Sequence, residues 1–362
     1  MLKKLDKYII RKYLSSFFFV VLICSLIAIS IDFSEKIDDF IEDSAPIKEI
    51  IFNYYMNFVI WINGLLWPLF TLIAVIFFTS RLANNSEVLS ILNAGVSFRR
   101  LCRPYLIAAS LITGILLISN HFIIPYGNKV RLDFEHTYIW KHSDKGKAND
   151  VHFFIGPDTK VYIKFWKKKS ATAQTFHLEK IVDNKLTYLM KANKAEWKGP
   201  PNNWRLHDYQ IRTFDENNET FVNGKGMEMD TTLNLKPEDF VRYLNHKEMM
   251  DTPELSKFIV EERGRGSGNT KNYEVELHRR TADPFSIIIL TLIGLSIAGR
   301  KVRGGIGLHI LIGLIIGGLY IFLSRFSSIF AENNRIPTLL GVWVPNIIFG
   351  IVAIIMMFRA QK

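Results

Sequence analysis

The chain has 362 residues, 49% of them hydrophobic and 22% charged, with a mean hydropathy of +0.13. The apolar residues come in blocks, which excludes a soluble enzyme and a disordered chain, and two cysteines exclude a secreted disulfide scaffold. The formal net charge of +11 raises nucleic-acid binding, but its placement along the chain removes that reading.

Six stretches contain no Asp, Glu, Lys or Arg: 13–31, 50–80, 104–128, 284–299, 304–324 and 336–358. A helix needs about 20 apolar residues to cross the hydrocarbon core of a bilayer. Five stretches reach or nearly reach that length; the fourth, 16 residues long, borrows Ala282 or tilts less. The first reads as a retained helix. Ile23 before Cys24 is too large for a lipoprotein cleavage site, and no small-residue cleavage site follows the run. Cys24 and Cys102 read as small buried hydrophobes.

The basic residues cluster between the spans. Residues 1–12 carry Lys3, Lys4, Lys7, Arg11 and Lys12 against Asp6, and the 81–103 connection carries Arg81, Arg99, Arg100 and Arg103 against Glu87. Arg300, Lys301 and Arg303 fill the 300–303 turn, and Arg359 and Lys362 follow the last span. If six helices alternate, these segments share one side of the membrane, with 14 basic and 2 acidic residues, while the opposite 32–49 loop has seven acids and two lysines. The positive-inside rule then puts both termini in the cytoplasm.

The 80–103 connection holds a short amphipathic helix at about 84–94. Asn85 or Ser86 can cap it, Glu87 suits its positive end, Val88, Leu89, Ile91 and Leu92 supply an apolar face, and Gly95 can end it. Ser97 can cap the helix that follows. Such a helix either docks in the groove of a soluble partner or lies on the lipid surface, and the pattern leaves both open.

Between spans three and four, residues 129–282 carry 27 basic and 23 acidic groups and read as water-exposed, on the outer side. Val161, Ile163 and Phe165 alternate with Tyr162, Lys164 and Trp166, the period of a half-buried strand. Gly156-Pro157-Asp158, Asn217-Asn218 and Asn223-Gly224 are turn signals, and 186–197 and 203–214 read as further strands. Within 203–214 the inward parity shifts between Leu206 and Tyr209, which points to a bulge or two exposed faces. A sandwich or open jelly roll is expected over about 140–235. Short helices follow, one starting at Thr252-Pro253-Glu254, then a flexible break from Gly264 to Asn269. The expected layout is therefore a membrane protein of six transmembrane α-helices (3+3) with an inserted β-jelly-roll-like domain on the outer side: 1–128, 129–282 and 283–362.

Catalytic signatures are absent. The sequence has no GxxxxGK[ST], no HExxH and no GxSxG, and the charge-free spans hold no acid or base to bind a coupling ion. His121 and His309 read as hydrogen-bonded packing residues. No cofactor is expected, and the chain has no evident energy source, so it reads as one part of a machine driven from elsewhere.

Ser86-Glu87 followed by apolar residues and Ala94-Gly95, between spans two and three, resembles the coupling segment of the LptF/LptG permeases. Further matches run in order: Leu5-Asp6-Lys7-Tyr8-Ile9, Val161-Tyr162-Ile163, Trp204-Arg205-Leu206, Leu235-Lys236-Pro237-Glu238-Asp239-Phe240, and Glu276-Leu277-His278-Arg279-Arg280 with Pro284. The resemblance implies a permease in the bacterial inner membrane that pairs with a sister LptF/LptG-type permease on an LptB-type cytoplasmic ATPase dimer, which holds the ATP. The pair would extract lipopolysaccharide laterally, between spans one and five, and pass it to an LptC/LptA-type periplasmic bridge. Ser86, Glu87, Leu89, Ile91, Leu92 and Gly95 would form the ATPase-coupling segment. Which of the two permease types this is stays open.

Two further sites carry alternatives. Relatives often place a base at the outer end of span one, where Asp32 stands here; Lys36, one turn on, can substitute as a lipid headgroup contact or simply pair with Asp32. Gly313 and Gly317 in span five form a GxxxG that permits close approach, either at a lateral gate or within one bundle. Two other function classes stay in view. One is a membrane enzyme acting on envelope lipid through Glu274, Glu276, His278 and Asp283; the other is an anchored periplasmic scaffold or receptor.

Overall fold

The computed structural model describes residues 3–140, 149–167, 170–215, 218–240, 246–266, 270–300, 302 and 304–360. Lys301, Arg303, Lys362, Asn217 and residues 267–269 of the expected break lie outside the described residues. The chain divides into two units: Met1–Ile139 with Glu248–Thr252 and Lys271–Lys362, and Trp140–Lys247 with Pro253–Thr270. The expected boundaries at 128/129 and 282/283 fall inside helices, because those helices continue past their charge-free cores.

In the first unit, six helices among the described residues are long and apolar enough to cross a membrane. They are α1 (Lys4–Glu42), α2 (Ile47–Asn84), α4 (Phe98–Tyr138), α6 (Lys271–Ala298), α7 (Gly305–Glu332) and α8 (Thr338–Ala360). The short α3 (Glu87–Asn93) joins α2 to α4; α5 (Thr252–Gly264), which precedes α6 in sequence, belongs from Pro253 on to the second unit. Helix α1 contains neither Pro nor Gly and runs for 39 residues, about 58 Å at 1.5 Å per residue. That is roughly twice the hydrocarbon thickness, so both charged ends stand outside the apolar layer. Two helices contain π turns, at Ile50–Tyr55 in α2 and Ser119–Ile123 in α4. The second is followed by Pro125, which has no N–H to keep the i→i−4 ladder in step.

The fourth span differs from the others. In α6, 61% of the apolar window is buried inside the protein, against 17% in α1. Leu290, Ile293 and Leu295 are fully buried, and α6 packs on α2, α4, α7 and α8. Its short apolar run is sufficient because its surroundings are other helices more than lipid. Helix α1 presents Ile9, Tyr13 and Phe17, one residue per turn, to the core. Tyr13 Oη lies 2.8 Å from Thr291 Oγ1 in α6, and Thr79 Oγ1 lies 3.0 Å from Tyr105 Oη, so buried hydroxyls satisfy one another.

The second unit holds an antiparallel six-stranded sheet among the described residues, with strands adjacent in sequence order: β1 (Asn149–Gly156), β2 (Thr159–Lys167), β3 (Thr172–Val182), β4 (Lys185–Gly199), β5 (Asn203–Asp215) and β6 (Asn218–Thr232). The parity shift in β5 falls at Asp208, whose φ is +52° and whose carboxylate accepts the Gly226 N–H at 2.7 Å; β5 stays in step with β4 there, and the extra residues of the bulge lie opposite it in β6. The shift belongs to a crease. The core-facing pairs Ile163/Trp166, Phe176/Ala173, Ala192/Ala195 and Tyr209/Leu206 all sit three residues apart, and their registers align rung for rung across β2 to β5. The crease makes Trp166 a core residue, only 2% exposed, and leaves Phe165 half-buried, reversing the simple alternation expected there. Trp166 and Trp204 meet with ring centroids 6.1 Å apart, and Trp204 Nε1 donates to the Leu235 carbonyl at 3.0 Å. The expected sandwich or jelly roll takes the form here of one creased sheet folded over its own core.

Candidate functional site

The α2–α3–α4 hairpin is built by local rules. Gly95 ends α3 with φ +81°, and the Ser97 hydroxyl caps α4 by accepting the Arg100 N–H at 3.3 Å. Ser86 precedes α3 in the left-handed region at φ +60°, and its side chain makes no cap hydrogen bond. Val88, Ile91 and Leu92 occupy one face and pack on the bundle core, with Val88 3% exposed. Leu89 stands about 100° round the helix from Val88 and is 58% exposed. The expected apolar face therefore splits into an inner anchor and one outward leucine.

The hairpin is tied to the start of α1. Arg100 donates Nη1 to Asp6 Oδ1 at 2.7 Å and Nη2 to Asp6 Oδ2 at 2.6 Å, and the Lys3 N–H donates to the same carboxylate at 2.9 Å. Asp6 is 3% exposed. Tyr8 Oη and Asn85 Nδ2 each reach the Glu87 carboxylate at 3.4 Å. Asp6 and Arg100 are 94 residues apart, and no local pattern in the sequence marks them as partners.

Lys36 sits in an internal network. Its Nζ is 3.0 Å from Asp32 and 3.4 Å from Glu135, and it donates to Tyr54 Oη, which itself donates to Asp32 at 2.9 Å. Arg131 pairs with Glu135 at 2.7 Å, and its guanidinium lies 4.3 Å from the centroid of the Trp61 ring. Two acids and two bases thus neutralise one another around a Tyr54 that is fully buried. The Lys36 side chain is 20% exposed. Gly313 and Gly317 both face α2 of the same chain. A Cβ at Gly313 would lie 2.2 Å from Ile76 Cδ1, and one at Gly317 would lie 2.5 Å from Leu69 Cδ1.

A cleft between α2, α6 and α7 is lined by Leu65, Leu69, Arg279, Asp283, Tyr320 and Arg325. Arg279 pairs with Glu276 at 3.2 Å and Asp283 at 3.4 Å, and Glu276 also meets Arg280 at 3.3 Å. Glu274 pairs with Lys271 at 3.3 Å. The acids weighed above as an enzymatic group are thus engaged in ion pairs. Arg325 is exposed and, among the described residues, has no ion-pair partner. His121 and His309 are hydrogen-bonded to Thr252 and Ser80, at 2.8 and 2.7 Å.

A family profile described as "Lipopolysaccharide export system permease LptF/LptG" matches residues 7–359, nearly the whole chain. No curated protein matches the chain significantly.

Proposed function

The chain belongs to the LptF/LptG permease family of the lipopolysaccharide export system, and on that premise we propose that it pairs with a sister permease on an LptB-type cytoplasmic ATPase dimer and turns the closure of that ATPase into movement of its own spans. In this reading α3 and both termini lie in the cytoplasm and the inserted sheet in the periplasm. The basic segments at 1–12 and 81–103 support that orientation. Lipid A has several acyl chains, and lifting them from a bilayer costs about 0.8 kcal/mol per exposed CH₂. Extraction therefore needs ATP, which the partner holds and hydrolyses.

The observation that carries the proposal is the build of the hairpin. The inner face of α3 is locked into the bundle while Leu89 points out. A push on its outer face passes to α4 and, through Arg100 and Asp6, to α1. Among the described residues, the edge strands β1 and β6 each have a strand partner on one side only, which supports strand addition by an LptC/LptA-type bridge. For the headgroup phosphates, Arg325 is better presented than Lys36, whose charge is already met by Asp32 and Glu135.

Charge reversal at Glu87 tests the coupling role. The Glu87→Arg variant should co-purify less ATPase and release less lipopolysaccharide from vesicles, while the inserted sheet stays folded. Wild-type ATPase association and export in that variant would refute it.

A further inference from the structure

A cleft of about 520 Å³ opens between α1 and α2 at the basic end of the bundle. Lys12, Ser15, Ser16 and Phe19 line it from α1, and Phe77 and Arg81 from α2. Lys12 and Arg81 are the residues that directly flank the charge-free runs 13–31 and 50–80. The cleft therefore straddles the edge of the apolar layer, with two cations and hydroxyls at its mouth and phenylalanine rings deeper in. Both cations are exposed, and neither has an ion-pair partner among the described residues. Among the described residues, the one acid on the wall is Glu87, held by Tyr8 and Asn85 at 3.4 Å, which leaves the mouth net positive.

We propose that this cleft binds an anionic glycerophospholipid, its phosphate between Lys12 and Arg81 and its acyl chains along Phe19 and Phe77. A soluble anion would use the cations but leave the aromatic half of the cleft wet. A zwitterionic lipid would bring an ammonium to two like charges. An anionic lipid matches both halves, and basic pockets between spans on the cytoplasmic side suit such headgroups. Naming it an inner-leaflet lipid rests on the orientation proposed above; the site itself requires only that this end meets a membrane surface. Tyr8 and Glu87 form part of the same wall, so the occupant would touch the residues that join α1 to the hairpin.

The test is native mass spectrometry of the full chain ejected from nanodiscs of equal phosphatidylglycerol and phosphatidylcholine, counting the lipids retained as the surrounding bilayer is stripped by collisional activation. The wild type should keep one phosphatidylglycerol in preference to phosphatidylcholine. The double variant Lys12→Ala/Arg81→Ala should lose affinity for it by roughly 30-fold, the product of two contacts of about 1 kcal/mol each. The swap Lys12→Arg/Arg81→Lys should retain it. Ser16→Trp, which fills the cleft and keeps both cations, should lose it, and this variant decides the matter if the double alanine variant fails to fold. Equal retention of both lipids would overturn the proposal, as would an equal loss in Lys4→Ala/Arg103→Ala, whose cations lie outside the cleft. So would release of the lipid when the chain assembles with the ATPase, since the cleft would then belong to a protein. None of these readouts requires transport, so the lipid site and the coupling role can fail separately.

Discussion

The glycines of α7 divide into two faces, and alanine substitutions should separate them with opposite sign. A Cβ at Gly313 would lie 2.2 Å from Ile76 Cδ1, against about 3.5–4.0 Å for a relaxed carbon contact. Cδ1 is the end of the Ile76 side chain, but Ile76 is fully buried, so turning it aside pushes into packed neighbours. Overpacking of this kind costs about 1–3 kcal/mol, offset by roughly 1 kcal/mol because alanine favours the helix over glycine. Gly313→Ala should therefore destabilise by up to about 2 kcal/mol. Gly318 has nothing within 4 Å of its added Cβ, so Gly318→Ala should stabilise by up to about 1 kcal/mol. The assay is unfolding of the purified chain in mixed micelles as SDS is raised, with no partner present. If Gly313→Ala matches the wild type there and weakens only the assembled pair, the stripe is a seam between chains and the packing assigned to it within this bundle is wrong.

Two further outcomes follow from the charged networks. Lys36→Ala leaves the Asp32 and Glu135 carboxylates facing each other, 9% and 2% exposed. Because the lysine is itself part-exposed, the cost should sit near the lower end for a broken buried pair, about 3 kcal/mol. The same unfolding assay measures it, and unchanged stability with weaker lipopolysaccharide retention would instead make Lys36 a headgroup contact. In the sheet, the Lys198 ammonium that hydrogen-bonds Glu196, with Lys194 beside it, holds the Glu196 carboxyl down to about 2. A carboxyl whose folded pKa lies below its unfolded value of about 4.5 adds stability that is fully present above pH 4.5 and is lost as the pH falls towards 2. Thermal unfolding of the full chain, followed by its β-sheet signal, should fall over that window. The fall should be smaller in Glu196→Gln; an identical pH profile in the variant would rule out this source.

Much of the architecture was legible because one force dominates it. Water will not hold six long apolar runs, and lipid will not hold an unpaired backbone, so the helices and their order follow from the positions of charged residues alone. The change of face in β5 was legible for a similar reason: an inward face must stay apolar, so a switch from Leu206 to Tyr209 parity reports an irregularity in the sheet at that point. The hairpin helix could be read from Glu87, Gly95 and Ser97, which act on their own neighbours. What the tertiary structure alone decided concerns partners distant in sequence. It paired Asp6 with Arg100 and drew Lys36 into a knot with Tyr54 and Glu135. It turned Gly313 and Gly317 onto α2, and it aligned four separate three-residue steps into one crease. Each of these depends on which helix or strand lies opposite, and a one-dimensional pattern holds no record of that. Hydropathy assigns a residue to oil or water; only packing assigns it a neighbour.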